Sequence, residues 1–99
     1  MAQYDVYPAK SGEHFLLDIQ TDLIDGLATR MIVPLLPLTP SMKTIRKLHP
    51  VFVIDGRKYV MATHLMAAVP RAQLGDAKTN LLARHDDIVG GLYMLFQGF

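Results

Sequence analysis

The side chains of this sequence that are best suited to acid–base or metal chemistry are those of four histidines: His14, His49, His64 and His85. None of them stands at the spacing of a zinc-protease helix, and no two are adjacent. One triplet, His85-Asp86-Asp87, combines three possible metal ligands, but it is also typical of a solvated helix start, where acidic side chains are favourable. We favour the helix start, and we predict no metal site and no cofactor.

Two aspartates, Asp22 and Asp25, flank an apolar pair and could form a general acid and base. Aspartates on a connecting segment more often cap turns, which is the interpretation we prefer. Ser11 and Ser41 lack the glycine-framed turn that exposes a catalytic serine. The sequence also has no cysteine and no glycine-rich phosphate loop, so we predict that the protein is not an enzyme.

The charges of the chain are nearly balanced. Ten Lys and Arg residues against nine Asp and Glu residues give a net charge of +1, without the basic footprint of a nucleic-acid-binding protein. Lys43, Arg46 and Lys47 form a small basic cluster that could touch RNA or an acidic partner, although a solvated face is the simpler explanation. We therefore predict no direct binding of nucleic acid.

The composition is apolar for a chain of this length. Hydrophobic residues make up 51% of the 99 residues, and the mean hydropathy is +0.21. Such a small domain gains from association, and this composition indicates apolar surface that meets a partner. No signal peptide or membrane-spanning run is visible. We expect one domain over residues 1–99, located in the cytoplasm and without membrane contact.

Short apolar segments separated by turn residues predict six strands, at 3–7, 14–20, 29–36, 51–54, 58–62 and 67–74. Tyr4 and Val6 would share one face of the first strand. Asp55-Gly56 is a two-residue hairpin signal between the fourth and fifth strands. Pro34 favours a sheet edge or a bulge, and residues 41–48 suggest a short helical turn.

The last segment has the period of a helix. Apolar residues recur at spacings of three and four along two stripes: Ile88, Leu92 and Leu95, and Val89, Tyr93 and Phe96. This pattern predicts a helix over residues 88–96. Gly90-Gly91 lies inside it, although each glycine costs a helix interior ~1 kcal/mol relative to alanine, so the pair indicates a close backbone approach or a weak helix end. The apolar ending at 95–99 indicates a C-terminus that is buried or faces a partner.

Strands followed by one helix predict a mainly β fold, either a small barrel or a strongly bent sheet. Several motifs, taken together and in this order, resemble one family: QYDVY at 3–7, LDIQTDLID at 17–25, TRMIVPL at 29–35, LHPV at 48–51, MAAVP at 66–70, and the tail at 87–99. The chain resembles the CcdB family, the gyrase-poisoning half of a plasmid or chromosomal toxin–antitoxin pair.

The resemblance implies an SH3-like small barrel, related to that of the MazF family, with a C-terminal helix and a homodimeric state. It implies binding to the GyrA subunit of DNA gyrase, trapping of the cleaved-DNA complex, and neutralisation by a CcdA-like antitoxin. The family's gyrase-contacting positions fall on Leu23, Ile24, Tyr93, Phe96, Gln97, Gly98 and Phe99. The implied dimer interface includes Gly90, Gly91, Met94 and Gly98.

Two positions of this chain depart from the best-known member of the family. Gln97 stands where that toxin has tryptophan, and glutamine offers less apolar area together with an amide that needs partners. Tyr93 stands where that toxin has a small polar amide, whereas Phe99 keeps the bulk of the terminal residue.

Three alternatives stay open. The first is a ribonuclease of the MazF type, because that family shares the barrel and a fold does not determine a function. Arg30, His49 and Arg71 would then be the acid–base groups. The second is a degenerate homologue that retains only dimer formation and antitoxin binding, and the third is a dimeric scaffold without a toxic role.

Overall fold

Seven strands and one α-helix make up the computed structural model of the chain, which describes residues 2–98. The strands are β1 (Asp5–Pro8), β2 (Phe15–Asp18), β3 (Thr29–Pro37), β4 (Val51–Ile54), β5 (Arg57–Met61), β6 (Ala67–Pro70) and β7 (Thr79–Asn80). The helix α1 spans His85–Gln97, and short 3₁₀-helices lie at Asp22–Ile24, Thr63–Leu65, Arg71–Gln73 and Leu82–Arg84. The strands form one antiparallel sheet in the order β4-β5-β3-β2-β1-β7, with β6 also paired to β3.

The sheet curls into a half-barrel around an apolar core, and α1 contributes to that core. Ile88 of α1 is completely buried and packs with Leu17, Leu35, Phe52 and other core residues. The prediction of a mainly β, SH3-like small barrel with a C-terminal helix is therefore confirmed. Within residues 2–98, no helix is both long enough and apolar enough to cross a bilayer.

The central strand β3 pairs along both of its edges. One edge pairs with β2, while the other is shared by β6, opposite residues 29–32, and β5, opposite residues 35–37. The carbonyl of Pro34 accepts a hydrogen bond from the Ala62 amide at 2.9 Å, so Pro34 faces the edge where the partner changes. The missing N–H of Pro34 thus falls in a gap of the ladder, which is how a proline is tolerated inside a central strand.

Backbone conformations confirm one predicted turn and correct the start of one predicted strand. Asp55 and Gly56 both have positive φ, 53° and 77°, as the predicted two-residue hairpin between β4 and β5 requires. Tyr4, in contrast, is not in a strand, because its φ is 70° and the Asp5 amide bonds back to the Ala2 carbonyl at 3.0 Å. The side chain of Tyr4 still packs in the same core as Val6.

The short helical turn expected within residues 41–48 is present at their end, where the Ile45 carbonyl accepts the His49 amide at 2.8 Å, and no regular helix forms there. Two other elements differ from expectation. Strand β7 escapes sequence-based prediction, because Thr79–Asn80 is too short to show a period and exists only by pairing with β1. The sixth predicted strand ends at Pro70, and Arg71–Gln73 is helical instead.

Helix α1 lies unusually close to its own barrel at Gly91. A Cβ atom at Gly91 would lie 3.2 Å from the Leu48 carbonyl oxygen, 3.3 Å from Thr63 Oγ1 and 3.4 Å from Met61 Cε. The Thr63 hydroxyl donates to the Leu48 carbonyl, and Thr63 is completely buried, so these neighbours have little room to move. The close approach that Gly91 permits is therefore between α1 and the barrel of the same chain.

The two adjacent glycines of α1 form a matched pair of test sites. We expect Gly91→Ala to lower the free energy of unfolding by about 1 kcal/mol, because crowding outweighs the gain in helix propensity. A Cβ at Gly90 meets no atom within 4 Å, so Gly90→Ala should raise the free energy of unfolding by up to about 1 kcal/mol. Urea denaturation at one protein concentration measures both, and equal effects at the two positions would contradict this packing.

Candidate functional site

The C-terminal half of α1 presents a second apolar face that the barrel does not cover. Val89, Leu92, Tyr93, Phe96 and Gln97 line an open groove of about 360 Å³, called here the outer groove. Tyr93 is 55% exposed and Phe96 is 65% exposed. At ~100° per residue, Val89, Tyr93 and Phe96 turn away from the stripe of Ile88, which enters the core, whereas Leu92 lies at the boundary and also packs against the core. The outer groove thus gathers three of the residues that the resemblance implicates in gyrase contact.

The end of α1 is closed by Gly98. Its φ of 82° lies in the left-handed region, and its amide donates to the Met94 carbonyl at 3.1 Å. Glycine adopts this conformation without the steric penalty of a Cβ atom, and it ends the helix directly after the outer groove. Phe99, the last residue of the predicted gyrase-contacting set, lies outside the described residues.

The residues implicated in the dimer interface divide between two environments. Gly91 is buried against its own barrel. Gly90 and Met94 are half-buried and lie four residues apart, so they share one side of α1 that is neither the core stripe nor the outer groove. This third side is open at Gly90, because a Cβ atom added there would meet no neighbouring atom within 4 Å.

Leu23 and Ile24 project from a different part of the surface. They belong to the 3₁₀-helix Asp22–Ile24, whose first turn is capped by the Thr21 hydroxyl accepting the Leu23 amide at 3.3 Å. Leu23 is 93% exposed. Among the hydrogen bonds and ion pairs of residues 2–98, none joins this segment to α1. The chain therefore carries apolar surfaces on two different elements, the 3₁₀-helix at Asp22–Ile24 and α1.

Of the possible acid–base pair, Asp22 has structural partners for its carboxylate, whereas Asp25 makes its hydrogen bonds through the backbone. The Asp22 carboxylate accepts the Gln3 amide at 2.8 Å and lies 3.7 Å from Arg30 Nη2. The Asp22 carbonyl accepts the Asp25 amide at 3.3 Å. The expectation that these aspartates cap turns is not met by their carboxylates, because the Asp22 carboxylate joins a distant segment and the side chain that caps the turn is Thr21.

Arg30, one of the residues of the nuclease alternative, is completely buried. Its Nε and Nη2 atoms contact Asp18 Oδ2 at 2.8 and 2.7 Å, and Asp18 is also completely buried. Burial raises the pKa of the Asp18 carboxyl, and the Arg30 guanidinium opposes that shift. A guanidinium enclosed in this way cannot meet an RNA phosphate, so Arg30 is not part of an accessible catalytic site.

The other two residues of that alternative lie at opposite ends of β3. Arg71 follows Pro70, which pairs with Thr29, whereas His49 lines a cavity of about 100 Å³ beside Leu36. Seven strand residues separate these ends, which corresponds to about 23 Å. Arg30, His49 and Arg71 are therefore not brought together.

His49 instead forms a pair with His64 that the sequence did not predict. The Ile45 amide donates to His49 Nδ1 at 2.9 Å, so the proton of the neutral ring lies on Nε2. His49 Nε2 is 2.9 Å from His64 Nδ1 and donates to it. In this arrangement the Nδ1 atom of each ring accepts a hydrogen bond. Burial, and secondly the charge of His64, lowers the pKa of His49.

At the acidic start of α1, His85 and Asp87 both contact other side chains of the protein. Nδ1 of His85 lies 2.6 Å from the Tyr4 hydroxyl, and Asp87 forms an ion pair with Arg84 at 2.8 Å. Among the described residues, no three His, Asp or Glu side chains are grouped so as to hold a metal ion. No local pattern in the sequence points to the contacts made by Tyr4, Asp18 and His64, because their partners are distant in sequence.

The histidine pair predicts a pH dependence of stability. Because the folded-state pKa of His49 lies below its unfolded value of about 6.5, the folded state binds fewer protons. The contribution of His49 to the free energy of unfolding should be fully present above pH ~6.5 and should decrease as the pH falls below that value. His49→Asn keeps an acceptor for the Ile45 amide but removes this titration. We expect the slope of unfolding free energy between pH 7 and 5 to decrease by up to about 1.4 kcal/mol per pH unit.

The slope is measured by urea denaturation of both proteins across that pH range. Ionisable groups common to the two proteins contribute equally, so the difference isolates His49. Identical slopes would show that the pair carries no proton linkage.

A comparison with known families agrees with the geometry. The family model described as CcdB protein matches residues 3–98 of the 99-residue chain. The match includes the Leu23 segment, the central strand β3 and the outer groove on α1. The chain therefore belongs to the CcdB family, the toxin component of toxin–antitoxin systems.

Proposed function

We propose that this protein is a toxin that binds the GyrA subunit of DNA gyrase, stabilises the cleaved-DNA complex, and is neutralised by a CcdA-like antitoxin. The observation that carries the proposal is the outer groove, an exposed apolar surface at the end of α1 in a member of the CcdB family. The protein acts as a binding wedge in the cytoplasm and catalyses no reaction of its own.

The chemistry of the outer groove suits a protein partner. Tyr93 and Phe96 supply large rings that lose little conformational entropy on binding, and such residues dominate binding energies at protein interfaces. Gly98 ends the helix directly beside them. Gln97 adds an amide that a partner must satisfy with hydrogen bonds.

A homodimer is part of this proposal. Gly90 and Met94 lie on a side of α1 that has room for a second chain, and a two-fold axis would use the same patch on both copies. Each copy then keeps its own outer groove and its own Leu23 segment. A partner on the two-fold axis meets two of each surface.

The ribonuclease alternative receives no support from the arrangement of its residues. Arg30 is buried in an ion pair, and His49 and Arg71 lie at opposite ends of β3. The degenerate homologue differs from our proposal only in the strength of gyrase binding, so the same assay separates the two.

The proposal is tested by adding the purified protein to gyrase, plasmid DNA and ATP, and measuring the fraction of linear DNA after protein digestion. We expect this fraction to increase with toxin concentration and to return to baseline when the antitoxin is added. Unchanged DNA cleavage with several bacterial gyrases would reject gyrase poisoning, and degradation of added RNA would support the nuclease instead.

Truncating the outer groove should separate binding from folding. We expect Phe96→Ala to weaken binding to GyrA by about 30-fold, because a buried aromatic anchor is worth ~2 kcal/mol. Its stability should change by less than about 0.5 kcal/mol, since Phe96 is 65% exposed. Leu82→Ala is the matched control, because Leu82 is 64% exposed but lies before α1. Equal binding by the two variants in calorimetry would contradict the assignment.

The glutamine of the outer groove gives a prediction of the opposite sign. We expect Gln97→Trp to strengthen binding to GyrA by about 10-fold, because a large indole replaces an amide that must be desolvated. Lys10→Trp adds the same ring at an exposed loop position and should leave binding unchanged. Surface plasmon resonance measures both, and weaker binding of Gln97→Trp would show that residue 97 does not face the gyrase pocket.

A further inference from the structure

Residues 21–28, called here the Leu23 loop, are all exposed to solvent. Exposure is greatest at Leu23, at 93%, and reaches about half at Ile24 and Leu27, at 48% and 51%. A loop without buried side chains gains little stability from apolar packing. Its shape therefore depends on hydrogen bonds. Besides the turn bonds of the loop itself and the Gln3 amide on Asp22, these bonds involve two arginines.

The first arginine supports the start of the Leu23 loop from inside the barrel. Arg30 is held by Asp18, and its Nη2 atom donates to the Gln20 carbonyl at 3.2 Å. The Gln20 side chain in turn donates from Nε2 to the Ile24 carbonyl at 3.3 Å. Its Oε1 atom accepts the Met31 amide at 3.0 Å, which ties the loop to β3.

The second arginine supports the end of the loop from outside. Arg71 Nη1 donates to the carbonyl oxygens of Asp25 and Leu27, and the Arg71 amide donates to the Ala28 carbonyl at 2.9 Å. Arg71 directly follows Pro70, which pairs with Thr29 at the start of β3. The register of β6 on β3 thus places one guanidinium over two carbonyls of the loop.

We propose that Arg71 is a positioning residue for partner binding, which fixes the Leu23 loop so that Leu23 and Ile24 enter an apolar pocket of the protein partner. This inference rests on the proposed function, in which that partner is GyrA. Arg71 does not itself contact the partner. It removes conformations of the loop before binding, so less entropy is lost when the apolar side chains are inserted.

The loop itself is tested on the full-length protein without any partner. We expect Arg71→Ala to increase the hydrogen-exchange rates of the Ile24, Asp25 and Leu27 amides by about 10-fold, because their turn loses its outer support. Exchange in α1 should stay unchanged. Arg46→Ala removes the same charge from an exposed turn elsewhere and should leave the loop amides at wild-type rates. Unaltered exchange in Arg71→Ala would overturn the proposal.

Partner binding is then tested with a double-mutant cycle on purified GyrA. We expect Arg71→Ala to weaken binding by about 10-fold in the wild-type background but by less than about 3-fold in the Leu23→Ala background. Arg71→Lys, which retains one donor near the carbonyls, should restore part of the affinity. Additive losses with no rescue would show that Arg71 acts independently of Leu23 and would overturn the positioning role.

The proposed function and the positioning role fail in different ways. If the wild-type protein does not bind GyrA, the proposed function is rejected, and the positioning role is rejected with it. If the wild-type protein binds, Phe96→Ala weakens binding and the cycle shows no coupling, only the positioning role is rejected.

Discussion

The architecture depends on one close contact, between Gly91 of α1 and the barrel atoms of Leu48, Met61 and Thr63. Because a helix turns by a fixed angle per residue, seating α1 at this point determines where every other side chain of the helix faces. Ile88 enters the core, while Tyr93 and Phe96 are left exposed. The outer groove is thus a consequence of how closely the helix approaches its own barrel. A larger residue at position 91 would push α1 outward and alter both faces together.

The buried pair of Asp18 and Arg30 organises the barrel next to the Leu23 loop. Removing two charges from water is expensive, so such a pair is weak evidence for stability. Here the pair has a geometric consequence, because Arg30 also donates to Gln20 and thereby shapes the start of the Leu23 loop. Among the described residues, Arg30 Nη1 has no hydrogen-bond partner, which adds a cost to this arrangement. A buried charge that is retained at such a cost is consistent with a role in shaping the exposed loop.

The two apolar surfaces are connected through symmetry in our proposal. On one chain, the outer groove and the Leu23 loop belong to separate elements, with no hydrogen bond or ion pair between them among residues 2–98. A two-fold axis near Gly90 and Met94 would give the dimer two copies of each surface. In such a dimer each surface benefits from being rigid before binding, because the conformational entropy lost on binding would otherwise be summed over four surfaces.

Local sequence patterns determined much of the fold. The hairpin at Asp55-Gly56 and the helix period from Ile88 onward were predictable, because their signals lie in adjacent residues. The exposed residues Tyr93 and Phe96 were identified through resemblance to a family. Only the tertiary structure decided that Gly91 packs against its own barrel, that His49 binds His64, and that Arg71 supports the Leu23 loop. The physical reason is that these contacts join segments whose distance is set by strand register and helix seating, which no local pattern encodes.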